Sequence, residues 1–171
     1  MAISVGLVFV ASPTPAAFWL GLPFIIVGEL IRIWSAGYLT KLSSLVTSGP
    51  FAMCRNPLYV GSFLISLGYL IMCNRPVVLA IGVVLFWILH GAAVAYEEGL
   101  LREKFGEEFE DYCCKVPRFI PRLSRLSGQG RFSIGQVMSN EEYRGVVTAA
   151  LLSTVFGLMA FDMIPFESWL H

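Results

Sequence analysis

Long apolar runs separated by short polar connections make up most of the chain. Residues 16–39, 57–73, 77–96 and 146–165 each approach the roughly 20 apolar residues that a membrane-crossing helix needs. Residues 1–11 are apolar too. At about 1.5 Å per residue they cover only half of a hydrocarbon core, so they read as a shortened span or an interfacial piece. No basic residue precedes them, unlike a signal peptide, and Ser12-Pro-Thr-Pro15 then breaks the chain. The pattern predicts an all-α, multi-pass transmembrane bundle of four to five spans. Pro57 and Pro76 open helices, because proline at the first helical position gives up an amide that has no partner there.

Beyond residue 96 the pattern changes. Leu101, Phe105, Phe109 and Tyr112 recur at helical spacing through residues 97–115. This predicts one amphipathic helix that leaves the membrane and lies on its cytosolic surface. Leu101, Phe105 and Phe109 mark its buried stripe. Glu97, four before Leu101, falls on that stripe, and Glu98 falls on the polar flank. Pro117 and Pro121 close the helix, and residues 122–135 read as a Ser-, Gly- and Arg-rich loop. Ser139-Asn-Glu-Glu142 matches a capping box ahead of the last span.

Small and charged residues interrupt the apolar runs at informative places. Gly61 and Gly68 lie seven apart and share a helix face, and Ser62 and Ser66 form a small-xxx-small pair. Such spacing lets another helix pack closely. Glu29 and Arg32, three apart, share a face of the first long span. They read either as a mutually satisfied pair near the interface or as the wall of a polar site. Trp34 and Tyr38 suit an interfacial aromatic belt.

Composition fixes the class. Of 171 residues, 56% are hydrophobic and only 14% charged, where soluble domains carry about a quarter charged residues. The chain is therefore an integral membrane protein, and residues 1–171 read as one domain. Net charge is zero, so nothing points to nucleic acid. Cys54, Cys73, Cys113 and Cys114 form no metal-ligand spacing and lack histidine partners nearby, so no metal is expected. Of the twelve Lys and Arg, only Arg75 lies in a connection opposite to the others. The excess of positive charge assigns residues 40–57 and 97–145 to the cytosol.

That assignment puts two stretches of candidate chemistry on one side. Asn56-Pro57 starts a helix where a membrane segment begins, with Asn56 suited to cap it. Its bare amides attract an anion, and Arg55 adds a full charge beside them. Glu97 and Glu98 are two adjacent carboxylates at the far end of the following hairpin, where a helix C-terminus would disfavour them.

Here the residues carry a resemblance. Gly49-Pro-Phe with Arg55-Asn-Pro-Leu-Tyr-Val-Gly61 resembles the first signature of the isoprenylcysteine carboxyl methyltransferase and phospholipid methyltransferase superfamily. Glu97-Glu98, Leu101, Phe105-Gly106, Phe109, Tyr112 and Val116-Pro-Arg-Phe-Ile-Pro121 resemble its second block, and Gly28-Glu-Leu-Ile-Arg-Ile-Trp34 is similar to the segment before the first. Together they cover about residues 25–121.

The resemblance implies an α-helical membrane enzyme that uses S-adenosylmethionine on a lipid-like or lipidated hydrophobic acceptor, with its active site facing the cytosol. It implies that Arg55, Asn56, Pro57, Tyr59 and Gly61 form one half of the cofactor site. Glu97 and Glu98 contribute the other half, with Tyr112 and Arg118 closing over it. Within that set Glu97 is taken as the direct cofactor ligand, and Glu98, with Arg118, as the catalytic pair on the acceptor side. Better-known members have histidine where this chain has Asn56, and an amide cannot act as a base. Two other readings remain at this point. One is an NADPH-dependent membrane reductase of the sterol-reductase type; the other is a non-catalytic membrane scaffold.

Overall fold

The computed structural model describes residues 7–8, 10–40, 44–122 and 130–163. Its described elements are helical, and no strand occurs among them. Helix α1 spans Pro15–Ala36. A 3-10 turn over Gly49–Ala52 leads into α2, Pro57–Met72. Helix α3 spans Pro76–Phe105, α4 spans Glu107–Lys115, α5 spans Ile134–Ser139 and α6 spans Glu142–Ala160. Three helices, α1, α3 and α6, are long and apolar enough to cross a membrane, while α2, at 16 residues, is shorter. Four apolar helices thus answer to the predicted spans. Most of residues 1–11 lies outside the described part.

Local sequence sets the helix starts. The Thr14 hydroxyl accepts from the Ala17 amide at 3.2 Å, and Pro15 follows it. Pro57 and Pro76 occupy the same position in α2 and α3. The tight connection between those helices puts Asn74 at φ 54°, a conformation asparagine tolerates better than most residues.

Helices α1 and α2 pack along a seam of glycines. A Cβ on Gly28 would lie 2.6 Å from the Gly61 carbonyl oxygen, and one on Gly21 would lie 2.5 Å from that of Gly68. The seven-residue spacing of Gly61 and Gly68 is therefore a packing device, matched by the same spacing of Gly21 and Gly28. Helix α6 closes the bundle against α1 and α2. Phe156, Leu152 and Ala149 join Ile25, Tyr69, Leu70 and Met72 in the core. The Tyr69 hydroxyl donates to the Ala149 carbonyl at 2.8 Å, so this buried polar tip is satisfied.

Three expectations are corrected. The single surface helix over residues 97–115 is two pieces. Helix α3 continues unbroken through Glu97, Glu98 and Gly99 to Phe105, and Gly106, at φ 51° and ψ −121°, turns the chain into α4. A side chain at Gly106 would strain that corner. The burial of the glutamates is the reverse of the stripe reading: Glu98 is buried and Glu97 exposed. The capping box does not form either. Ser139 is the last residue of α5, and α6 starts after Glu141 at φ 57° with no side-chain cap. Asn140 instead donates to the Ala36 and Leu39 carbonyls, both at 3.0 Å, and so caps the end of α1. Part of the expected loop over residues 122–135 lies outside the described residues, and its end enters α5.

At about 1.5 Å per residue, the 30 residues of α3 extend about 45 Å, some 15 Å more than a hydrocarbon core. Its C-terminal turns, bearing Glu97 and Glu98, can project past the apolar layer.

Candidate active site

The two sequence blocks meet through their backbones. The Arg55 amide donates to the Pro117 carbonyl at 2.8 Å, and the Arg122 amide donates to the Met53 carbonyl at 3.0 Å. Tyr112, buried on α4, donates its hydroxyl to the Phe51 carbonyl at 2.7 Å. Burial pushes its phenol above the usual range, so it stays a donor. These bonds strap the segment after α4 across the entrance to α2.

Asn56 holds the centre of this junction. It sits at the start of α2 without capping it. Its side-chain amide donates instead to Glu98 Oε1 at 2.9 Å and to the Arg118 carbonyl at 3.2 Å. Glu98 Oε2 pairs with Arg118 Nη2 at 2.9 Å, and Arg55 Nε lies 3.8 Å from Glu98 Oε1. Glu98 is thus an anion hub that answers two guanidinium groups and one amide. The Arg55 Nη1 group contacts the Cys113 sulfur. Its Nε is buried with no hydrogen-bond partner.

Beside this junction lies a cavity of about 620 Å³, within the usual range for small-molecule sites. Its polar lining is Arg32, Arg55, Asn56, Tyr59, Ser62, His90 and Glu97, and its apolar walls include Leu39, Leu58, Leu89, Ala93 and Leu101. A hollow of about 350 Å³ shares Leu39, Phe51, Arg55, Glu97 and Leu101 with it and reaches Tyr112. The Tyr59 hydroxyl donates to Glu97 Oε1 at 2.8 Å, which fixes that carboxylate on the wall.

Of the residues singled out from sequence, Arg55, Asn56, Pro57, Tyr59 and Glu97 line the cavity, and Tyr112 borders the adjoining hollow. Glu98 and Arg118 stand behind the lining, joined to each other. Gly61 serves helix packing: a Cβ there would lie 2.7 Å from the Gly28 oxygen and from Arg32 Cγ. Arg32 and Glu29 are not each other's partners. Arg32 forms a two-pronged bond with Glu142, with Nη2–Oε1 at 2.7 Å and Nε–Oε2 at 3.1 Å, and donates to Ser62 Oγ.

Two contributors escape sequence reading. Glu142 lies 110 residues from Arg32, beyond the stretch the resemblance covers, and reads from sequence only as the end of a capping box. His90, stacked on Phe86 with centroids 3.9 Å apart, lines the cavity seven residues before Glu97. The spacing His90–Ala93–Glu97–Leu101, all on one face of α3, was the available signal.

A family model described as phospholipid methyltransferase matches residues 16–108, more than half of the chain. The chain belongs to the phospholipid methyltransferase family. Among curated proteins similar to it, the nickel-cobalt-cadmium resistance protein NccN of Alcaligenes xylosoxydans xylosoxydans is 36% identical over 60% of this chain and 49% of its own. The protein-S-isoprenylcysteine O-methyltransferase of Rattus norvegicus is 34% identical over 59% of this chain and 40% of its own. A solved structure of the eukaryotic intramembrane Ras methyltransferase ICMT, isoprenylcysteine carboxyl methyltransferase, aligns with a TM-score of 0.54 at 30% identity. That alignment covers 61% of this chain and 42% of the other. The chain thus spans about half the length of the curated relatives it matches. The family match ends shortly after Phe105, so Tyr112 of α4, Arg118 and Glu142 of α6 join the site from outside the matched region.

Proposed function

We propose that this protein is an integral membrane methyltransferase that transfers the methyl group of S-adenosylmethionine to a lipid-like or lipidated hydrophobic acceptor, carboxylate or amine, at the cytosolic interface. The observation that carries this reading is Arg55: a half-buried guanidinium, its Nε without a hydrogen-bond partner, on the wall of a cavity that also holds Glu97. Family membership supports it.

The residues suit the donor. S-adenosylmethionine supplies, when bound, a methyl group activated on a sulfonium, together with a carboxylate, an ammonium and an adenosine. Arg55, on the cavity wall, would hold the carboxylate through its guanidinium, a charge-assisted contact. Glu97, oriented by Tyr59, would take the ammonium or the ribose hydroxyls. Leu39, Leu58, Leu89 and Leu101 give the cavity an apolar wall. Glu98 and Arg118 act from behind as positioning residues: Glu98 sets Arg55 and Asn56, and Arg118 holds Glu98 in place. Methyl transfer is an in-line displacement whose barrier falls mainly through alignment. A scaffold that fixes Arg55 and Glu97 in the lining of one cavity provides this. The clustering of basic residues on one side of the spans supports a cytosolic site.

The test is ligand-dependent thermal stability of the purified protein in detergent. S-adenosylhomocysteine is expected to raise the melting temperature, and NADPH is expected to leave it unchanged. Stabilisation by NADPH alone would favour the reductase reading.

A further inference from the structure

The strap of residues 116–122 reaches deeper than the carboxylate it covers. The Phe119 ring meets that of Trp87 edge-on, with centroids 5.1 Å apart. Trp87 precedes Glu97 on α3 by ten residues, about 15 Å further into the apolar part of that helix. This irregular segment therefore dips into the apolar layer beside α3 and turns back out towards Arg122.

Its backbone is pinned at that depth. The Pro117 and Arg118 carbonyls accept from the Arg55 amide and the Asn56 side chain, and the Arg122 amide donates to Met53. Irregular backbone at membrane depth needs partners of this kind. The tip they hold is nevertheless uncovered. Ile120 is 81% exposed, more than any other large apolar residue described. Val84, Trp87 and Ile88 are exposed on α3 as well. Arg122 is exposed, and its guanidinium has no partner among the described residues. Arg118 is paired with Glu98, yet its side chain is still two-fifths open.

An apolar tip pinned in the bilayer, with a free cation where the chain leaves it, matches the two parts of a lipid. Acyl chain suits Ile120, and phosphate suits Arg122. A zwitterionic headgroup would bring its own cation against Arg118 and Arg122, whereas an anionic one brings none.

We propose that the strap is a lipid-binding wedge. An anionic phospholipid lays an acyl chain along Phe119, Ile120 and Trp87 and places its phosphate on Arg122. No strap residue lines the cavity assigned to the methyl donor, so this lipid is a structural partner and not the acceptor. The same strap carries Arg118 to Glu98 and its carbonyl to Asn56. Seating of the wedge thus steadies the carboxylate that positions Arg55; this last link rests on the donor reading.

The experiment uses the full chain in nanodiscs of phosphatidylcholine alone or mixed equally with phosphatidylglycerol. The latter offers a phosphate but no amine or carboxylate to methylate. Native mass spectrometry of protein released from the mixed discs is expected to find phosphatidylglycerol retained about fivefold over phosphatidylcholine, the preference that one arginine gives near a membrane surface. Arg122→Gln should bring that ratio close to one, and Ile120→Ser should lower the amount of both lipids retained. Equal retention by wild type, or an unchanged ratio in Arg122→Gln, would overturn the wedge. A dimer that Ile120→Ser dissociates would also overturn it, by making this surface a contact between copies. S-adenosylhomocysteine affinity is expected to be higher in the mixed discs for wild type and equal in both discs for Arg122→Gln. Equal affinities for wild type would overturn the link to Glu98. Binding in neither disc would refute the donor reading, while the lipid ratio still decides the wedge.

Discussion

Asn56 Nδ2 donates to Glu98 Oε1 at 2.9 Å, a bond that joins the start of α2 to the projecting end of α3 across 42 residues. Asparagine and aspartate are near-equal as helix caps. If Asn56 were chiefly a cap, Asn56→Asp would be harmless. As the amide that faces a buried carboxylate it cannot be exchanged for another carboxylate without like-charge repulsion. Asn56→Asp is expected to lower the melting temperature more than Asn56→Ala. It should also weaken S-adenosylhomocysteine binding at least about tenfold, as read by calorimetric titration.

Arg55 should resist replacement by lysine. Its Nη1 and Nε edges point to different neighbours, the Cys113 sulfur and the region of Glu98 and the cavity. A lysine ammonium cannot serve both in fixed geometry. Arg55→Lys is expected to weaken S-adenosylhomocysteine binding by at least about tenfold, or roughly 1.4 kcal/mol. Equal affinities in titration of the two proteins would reduce Arg55 to an interfacial charge.

The glycine seam predicts a sharp contrast between two alanine substitutions. Gly61→Ala drives a methyl group into the α1 backbone at 2.7 Å, whereas at Gly91 an added Cβ meets nothing within 4 Å. Overpacking of this kind costs about 1–3 kcal/mol. Gly61→Ala should lower the melting temperature by several degrees, and Gly91→Ala should not lower it. Comparable effects of both would mean that the helices separate freely.

The cysteines should differ in reactivity. Cys54 is buried beside the strap, and burial pushes its thiol up to about 11. Cys114 is exposed. Near neutral pH, N-ethylmaleimide should modify Cys114 first, and peptide mass spectrometry should find Cys54 modified only after unfolding. The sign for stability follows from the raised value. The contribution of the neutral Cys54 thiol is complete below its ordinary range near 9 and is lost as pH rises towards 11. Melting temperature should therefore fall over that interval in wild type more than in Cys54→Ala.

Apolar run lengths and the prolines at positions 57 and 76 were sufficient to place α2 and the first part of α3, because both act locally. The one-sided distribution of Lys and Arg, with the family resemblance, brought Arg55, Asn56, Tyr59 and Glu97 to one place. What they could not give was which glutamate turns inward. Extending the stripe of Leu101, Phe105 and Phe109 back to Glu97 assumes that it marks a buried face, yet Leu101 and Phe105 are only half-buried on α3 and the buried Phe109 belongs to α4, beyond Gly106. Burial of Glu98 is instead decided by Arg118, Asn56 and Arg55, partners contributed by other segments. The pairing of Arg32 was hidden for a related reason. The local candidate, Glu29, is three residues away, and the partner it actually takes is in α6.

That distance along the chain has a consequence for biosynthesis. Arg32 enters the bilayer with α1, while Glu142 is still 110 residues from being made. At about 5–20 residues per second, the guanidinium waits roughly five to twenty seconds for its permanent counter-charge. During that interval α1 and α2 have only their glycine contact and the Ser62 hydroxyl to hold Arg32 in register. Emergence of α6 is thus the step that locks the earlier hairpin in the membrane, and the last helix synthesised sets the geometry of the first.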